Sequence, residues 1–594
     1  MKKVYIILSA LAVVFGMASC NDELELRNPN NQTTYEFGDS ESELQEAVIS
    51  CYNRIRLEGT FARVGYTMDA VRGDELWNAS QVWYLPYDNL NVVNTDEIGC
   101  QWIWRDCYHV VNRCNFVLKK VEECTLSTQK YNEIKGQALF LRALAYYTIA
   151  TYYQTAPLFN DYDQYSSMET MYAPLATQDD LFDQIDADFS EAMTLLPSRD
   201  QGGEWAGGRA TCGAAAGYYA RSLMFRHKYE EALEVLLDII GDNDEGMPLY
   251  GTYRLMDDYG DNFREGVAYE NNAESLFEVQ YLDYGMGGVD EEWTPVNISS
   301  NATQGHAVES NYTPGAFGGW ADLSVSPWLY NLFKKERCTD GTLDPRLYWT
   351  VSSYEPEYDA YTGTTNAGYP NGNDPRCNIL YQTPVTETPK TNDTNGGFSS
   401  AKWTYARQDV CNTVVVGLHC GVNLRLMRYS DVLLRAAECI NEISGPDQDA
   451  IGYINEVRNR AGLADLELAD FSGNRDKLFE QIANVERPKE FGCENGRGID
   501  LIRWGFFYST DRMNQLKDHG NYVLDGTANT TYPVENPTGS TFQFYQPGHE
   551  YFPIFQGTLN ANQSLGAGNS ANTNTDNSVE FAAKGWEVRP VVTL

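Results

Sequence analysis

Gly136-Gln137-Ala138-Leu139-Phe140-Leu141-Arg142-Ala143-Leu144-Ala145-Tyr146-Tyr147 decides the fold class of this chain. It lies within a helical pattern over residues 131–153. Its small residues, Gly136 and Ala143, stand where a second helix can cross closely. The same kind of pattern recurs on both sides. Residues 44, 48, 52 and 55 mark an apolar face after Ser42, and Trp102, Cys107, Val110, Val111, Cys114, Val117 and Leu118 form a wide stripe over 102–121. Further helices are expected over 181–196, 210–225 and 229–240, with Ala214 and Ala216 again at crossing points. Helices joined by short or medium turns in this way predict a scaffold of antiparallel hairpins of tetratricopeptide type, without a strict 34-residue period.

The pattern changes after about residue 243. To about 420 the chain is rich in Gly, Asn, Asp, Tyr and Pro, with one convincing strand over 275–281. Helical periodicity resumes over 427–443, 450–461 and 475–493, so the loop-rich part reads as an insertion between two helical blocks that pack together. The expected fold is mostly α, a tetratricopeptide-like hairpin scaffold with a large loop-rich insertion and few short strands. Its divisions are 1–19, 20–40, 41–242, 243–420 and 421–594.

The first twenty residues set the location. Lys2 and Lys3 precede an apolar run over 4–15, and Gly16-Met17-Ala18-Ser19 leads into Cys20. The run is shorter than the roughly 20 residues a membrane-spanning helix needs, and small residues before a cysteine mark a lipoprotein signal. Residues 1–19 are therefore expected to be removed and Cys20 lipidated, with more than one acyl chain holding the protein to a membrane. Asn21-Asp22-Glu23-Leu24-Glu25-Leu26 opens a polar tether and resembles the surface-export tag of Bacteroidetes lipoproteins. An outer-membrane, surface-exposed location follows.

Charge narrows the ligand. The chain has 44 basic and 83 acidic side chains; removing residues 1–19 takes two lysines and no acid, which leaves 42 against 83, or −41. Nucleic acid is excluded on that balance, and neutral ligands fit better than polyanions. Twelve cysteines follow Cys20, so pairing is open. Cys100, Cys107 and Cys114 recur every seven residues on one helical stripe and read as buried thiols. The six histidines are scattered, with no C-x-x-C or H-E-x-x-H, so no metal site is expected. Structural calcium between Asp and Asn side chains of the insertion stays open, without an EF-hand loop.

Several separate stretches resemble the RagB/SusD (SusD-like) family of nutrient-binding outer-membrane lipoproteins of Bacteroidetes. They are Trp104-Arg105-Asp106-Cys107-Tyr108 with Asn112-Arg113-Cys114-Asn115, residues 136–147 followed by Ala156-Pro157-Leu158, and residues 340–347. Residues 425–438, 454–463, 486–491 running on to 500–505, and Tyr551-Phe552-Pro553-Ile554 with Leu559-Asn560 complete the order. Two departures stand out. Pro488 intrudes on its helix and predicts local distortion, and the last forty residues run past the family's closing signature. The resemblance implies four tetratricopeptide-like pairs and a non-enzymatic capture module. Such a module is seated on a TonB-dependent, SusC-like outer-membrane barrel and delivers oligosaccharide to it.

Binding in that family uses aromatic side chains on loops, whose flat faces suit the C–H groups of sugar rings. Of the 40 Tyr and 12 Trp, those on helices, such as Tyr146, Tyr147, Tyr218 and Tyr219, read as packing. The candidates for ligand binding are Trp77, Trp83 and Tyr84 in one loop and Tyr281, Tyr284, Trp293 and Trp320 in the insertion, beside Asp283, Asp290 and Asn297. Two rival classes remain. A glycoside hydrolase needs two carboxylates across a cleft, and Glu486, Glu490 and Glu494 stand at helical spacing, with Arg487, Arg497 and Arg503 as nearby ion-pair partners. An adhesin-type surface-assembly subunit would use the same scaffold to hold protein.

Overall fold

Small hydroxyl side chains start most of the long helices. The computed structural model describes residues 37–78, 84–92, 97–282, 305–313, 319–352, 398–404, 420–524, 541–565 and 576–594. Helix α1 (Glu41–Arg54) is capped by Ser40, whose hydroxyl accepts from the Glu43 amide while the Glu43 carboxylate accepts from the Ser40 amide. The cap thus lies two residues before Ser42, at Ser40, whose third residue on is Glu43. Next come α2 (Val64–Val71), β1 (Leu76–Asn78), α3 (Ile98–Glu123), α4 (Thr128–Tyr153), α5 (Gln178–Leu195), α6 (Cys212–Phe225) and α7 (Tyr229–Ile240). Thr177 caps α5 with the same reciprocal pair, through Asp180, while Ser127 and Thr211 cap α4 and α6 by accepting one amide each.

Each of these long helices packs on the next, α3 on α4, α4 on α5, α5 on α6 and α6 on α7. Gly136 marks the α4–α5 crossing: a Cβ there would meet the Leu196 side chain at 2.8 Å. Beside it Arg142 makes a two-pronged pair with Asp188 of α5, both bonds 2.7 Å and buried. Cys100, Cys107 and Cys114 are buried along α3 as free thiols. Tyr146, Tyr147 and Tyr218 are core residues, with Tyr147 and Tyr218 edge to face at 6.1 Å.

The insertion contributes β2 (Ser275–Val279), α8 (Val308–Tyr312), β3 (Leu323–Val325) and α9 (Pro327–Lys334) before β4 (Leu424–Arg428), α10 (Tyr429–Ser444) and α11 (Gln448–Arg460). Helix α10 packs on both α7 and α11, so helices from before and after the insertion meet directly. Met427 was expected to open this helix. It instead belongs to β4, which pairs antiparallel with β2, and helical structure starts only at Tyr429. The reason is charge: Arg425 and Arg428 pair with Glu278 and Glu274 across the two strands, which fixes this stretch as extended chain.

Pro488 produces the expected distortion. Its missing N–H and ring disfavour a regular turn, and the chain forms a π turn over Ile482–Glu486 before helix resumes at Arg487–Phe491. The last residues also have a place. Trp586 stacks on His227 at 4.2 Å, and Arg589 pairs with Glu442 at 2.5 Å. A cavity of about 210 Å³ lies between this tail and Trp504. Among the described residues no helix is long and apolar enough to cross a membrane.

Candidate functional site

A group of aromatic and charged side chains gathers where α1, α3 and the insertion meet. After α1 the chain enters a π turn at Glu58–Ala62. Gly59 lets that turn lie against the start of α3, since a Cβ there would fall 2.0 Å from the Trp102 carbonyl oxygen. Its amide donates to the Asp106 carboxylate at 2.8 Å, which holds the turn in place. Arg63 follows, and its Nε donates to Glu58 at 3.0 Å. Its guanidinium lies 5.3 Å from the Trp320 ring centre and 6.0 Å from that of Trp102. One buried cation thus lies against two half-buried indoles.

The positions of the rings follow from the backbone. Trp102 stands in the first turns of α3, and the Trp320 amide donates to the Ser310 carbonyl in α8 at 2.7 Å. Half-buried Arg56 lies 5.4 Å over Tyr281, and its burial lowers its pKa. Tyr281 is buried; its amide donates to the Asn423 side chain at 2.8 Å, and its ring meets His306 at 4.6 Å. Among the described residues, two buried polar atoms here, the Tyr281 hydroxyl and Glu58 Oε1, have no hydrogen-bond partner. Indole faces, guanidinium groups and unsatisfied oxygens together suit a ligand with apolar faces and hydroxyl edges.

Residues 273–570 match the family model described as "SusD family", and residues 22–223 match one described as "Starch-binding associating with outer membrane". The chain belongs to the SusD family. Among curated relatives it is 23% identical to SusD-like protein P25 of Formosa agariphila, over 85% of this chain and 90% of that one. It is 22% identical to SusD-like protein P2 of the same organism, over 89% and 95%. A SusD superfamily protein from Bacteroides vulgatus superposes with a TM-score of 0.66 at 23% identity, covering 89% of this chain and 98% of that one. Surface glycan-binding protein A from Bacteroides thetaiotaomicron, solved with laminarihexaose, superposes with a TM-score of 0.62 at 22% identity, covering 89% and 99%. These likenesses carry the SusD fold.

On this SusD scaffold the seven aromatic candidates separate. Trp77 is 2% exposed and lies in β1, opposite Ser324 of β3, while Tyr84 is fully buried with its hydroxyl 2.9 Å from that of Thr67. Neither offers a ring face to a ligand. Both are core residues because the stretch around them, read from sequence as an aperiodic loop, includes a short paired strand. Tyr281 and Trp320 border one charged group: Tyr281 lies under Arg56 and near Glu58, and Glu58 pairs with Arg63 against Trp320. Trp83, Tyr284 and Trp293 lie outside the described residues, as do Asp283, Asp290 and Asn297. The sequence reading missed Trp102, which it placed on the buried stripe of α3, and also Arg56 and Arg63. The signal for Trp102 was its place at the helix start, where the stripe runs out of partners.

The carboxylates considered for a hydrolase have other partners. Glu486 pairs with Arg458 at 2.7 Å, and Glu490 with Arg460 at 2.6 Å, Arg428 at 2.9 Å and Arg346 at 3.2 Å. Glu494 pairs with Lys402 at 2.8 Å. These are not the expected arginines: Arg487 serves Asp431 and Asp500, Arg497 serves Asp74, and Arg503 serves Glu438. Arg497 and Arg503 lie on a separate helix, Arg497–Arg503, beyond a break after Phe491, so they do not share a face with the three glutamates. Nearby cations overcome burial and hold Glu490 far below the usual carboxylate range.

Asp88, behind Trp77, behaves in the opposite way. Burial raises its pKa to about 7, against weaker lowering by bonds from the Asn78 amide and the Thr541 hydroxyl, each 3.1 Å. The folded state therefore keeps this proton between about pH 4 and 7 while the unfolded chain loses it, so stability falls as pH rises through that window. Replacing Asp88 by Asn is expected to remove on the order of 3–4 kcal/mol of that fall. Denaturation of both proteins at pH 4.5 and 7.5 checks it, and parallel pH profiles would refute the assignment.

Proposed function

We propose that this protein is a lipid-anchored outer-membrane component that captures an oligosaccharide and passes it to a SusC-like, TonB-dependent barrel, without altering it. The observation that carries this reading is the pair of half-buried indoles, Trp102 and Trp320, both lying against the Arg63 guanidinium. Sugar rings present C–H faces to indoles and hydroxyls to guanidinium groups and carboxylates. Laminarihexaose bound to a SusD-fold relative, and the laminarin binding of another relative, support a glycan as the ligand class. The acidic surface, with a formal net charge of −39 for the whole chain, favours a neutral glycan over a charged one. Cys20, placed after a short apolar leader, supplies the anchor. An outer-membrane position accords with the description of the model matched by residues 22–223.

Screening the folded chain from residue 21 onward against a panel of neutral and acidic glycans, laminarin included, tests the reading. Saturable binding to one neutral class with the glycan recovered intact is expected. Silence across the panel, or release of shorter products, would overturn it. Solubilising membranes that carry the lipidated protein and identifying what copurifies tests the partner: a large β-barrel is expected, and a filament subunit in its place would favour surface assembly.

A further inference from the structure

Behind the indole pair lies a cluster that the glycan reading does not use. His306 and Cys420 face each other across an isolated antiparallel bridge, with N–H···O bonds of 2.9 and 3.1 Å. Directly opposed residues in such a pair project to the same side. Glu309 follows on α8 with its carboxylate 3.1 Å from His306 Nδ1. All three side chains are fully buried, and their ligand atoms lie within 4.8 Å of one another.

The hydrogen bonds of His306 determine what its ring can offer. Nε2 lies 2.6 Å from the Val422 carbonyl, which only accepts, so the ring proton sits on Nε2. The other nitrogen is then a lone pair, and the Val308 amide donates to it at 3.3 Å. That lone pair faces a carboxylate neither of whose oxygens has a hydrogen-bond partner among the described residues. Two electron-rich groups 3.1 Å apart in a dry site repel unless a proton or a metal ion lies between them. The three donors are an imidazole nitrogen, a carboxylate oxygen and a thiol sulfur, a set that suits zinc and is poorly matched to calcium or magnesium.

We propose that His306 Nδ1, Glu309 and Cys420 bind a structural zinc ion. The Cys420 thiol gives up its proton to solvent on binding, so thiolate and carboxylate together neutralise the ion. The carbonyl of Val422 sets the ring orientation from the outer shell. The ion ties the chain around residues 305–313 to that at 420. Because Tyr281 rests on the His306 ring, it also fixes the inner wall of the indole site. Nothing in the sequence announced it, since only two ligands share a local spacing, H-x-x-E, and the third is 111 residues beyond Glu309.

The test uses the full mature chain purified without chelator. Elemental analysis is expected to find about one zinc per chain. Cobalt added to the stripped protein should give the thiolate-to-cobalt charge-transfer band of a sulfur-bound ion. Losing an outer-shell partner costs a zinc site about 10–100-fold, so Glu309→Gln and Cys420→Ser, which remove ligands, should weaken binding by more than roughly a hundredfold. Chelation should lower the Tm of the wild type and leave both variants unmoved. The cobalt spectrum needs no variant, so it stands even if both variants fold poorly. The proposal is overturned if the wild type takes up neither zinc nor cobalt and its Tm is indifferent to chelator. His306 is then doubly protonated and pairs with Glu309 as an ordinary ion pair.

Discussion

Replacing Arg428 by alanine is expected to destabilise the protein by about 3–5 kcal/mol, the range for breaking a buried ion pair from one side. Arg428 is 1% exposed and stands where β4 meets α10. Its guanidinium donates to Glu274 at 2.5 Å, to Glu490 at 2.9 Å and to Glu494 at 2.9 and 3.1 Å, and it also reaches the Glu490 carbonyl at 3.1 Å. Those partners come from the entry to β2 and from the segment after the Pro488 distortion, so one side chain joins three distant parts of the chain. Without it, Glu274 keeps Arg460, Glu490 keeps Arg460 and Arg346, and Glu494 keeps Lys402. Arg346 is also committed to Asp344, so four buried carboxylates then divide three cations. Arg428→Lys should recover only part of the loss, because a single ammonium cannot reach the same spread of acceptors. Lys119→Ala, which breaks an exposed pair with Asp163, should leave the unfolding midpoint where it is. An R428A protein that unfolds at the wild-type denaturant concentration would show that the network contributes nothing net.

The helical scaffold was legible because its signals are local. The long apolar run within 131–153, with Gly136 and Ala143 at its crossing points, and the caps Ser127 and Thr177 act within one or two turns, and helix ends fell within a few residues of their expected positions. The SusD resemblance added the order of the blocks. What was not legible depends on pairing between distant residues. Arg428 takes acids from 154 residues before it and from 62 and 66 after it, and no periodicity encodes such a partner. The same limit explains Met427: its strand exists because Ser275–Val279 lies beside it.

The candidate site shows the limit more sharply. Burial separates Trp77 from Trp320, yet both stand in Gly- and Asn-containing sequence that reads as loop. Trp77 is buried because β3 pairs with its strand, whereas Trp320 stays half exposed because it precedes that pairing. Trp102 was assigned to the core by its helical phase. Phase says which way a residue points, not whether a neighbour arrives to cover it, and at the start of α3 the covering element is a π turn carrying Arg63.

Glycan affinity should therefore follow exposure among the tryptophans. Trp320→Ala and Trp102→Ala are each expected to cost about 2 kcal/mol, roughly thirtyfold in Kd, as for a central aromatic anchor, and the double variant should bind too weakly to measure. Trp77→Phe keeps an aromatic ring in the core and should leave affinity unchanged, although it lies in the strand that pairs with the one after Trp320. Arg63→Lys distinguishes two roles for the cation. If the guanidinium only orients the indoles, a lysine that keeps the charge against them retains most of the affinity. If it also donates to sugar hydroxyls through its planar fork, affinity falls about tenfold with the fold intact. The fork is the expected outcome, because the planar guanidinium lies against both Trp102 and Trp320, where a sugar ring would present its hydroxyl edge. Unchanged binding in both single tryptophan variants, with circular dichroism and Tm preserved, would place the ligand elsewhere on the molecule.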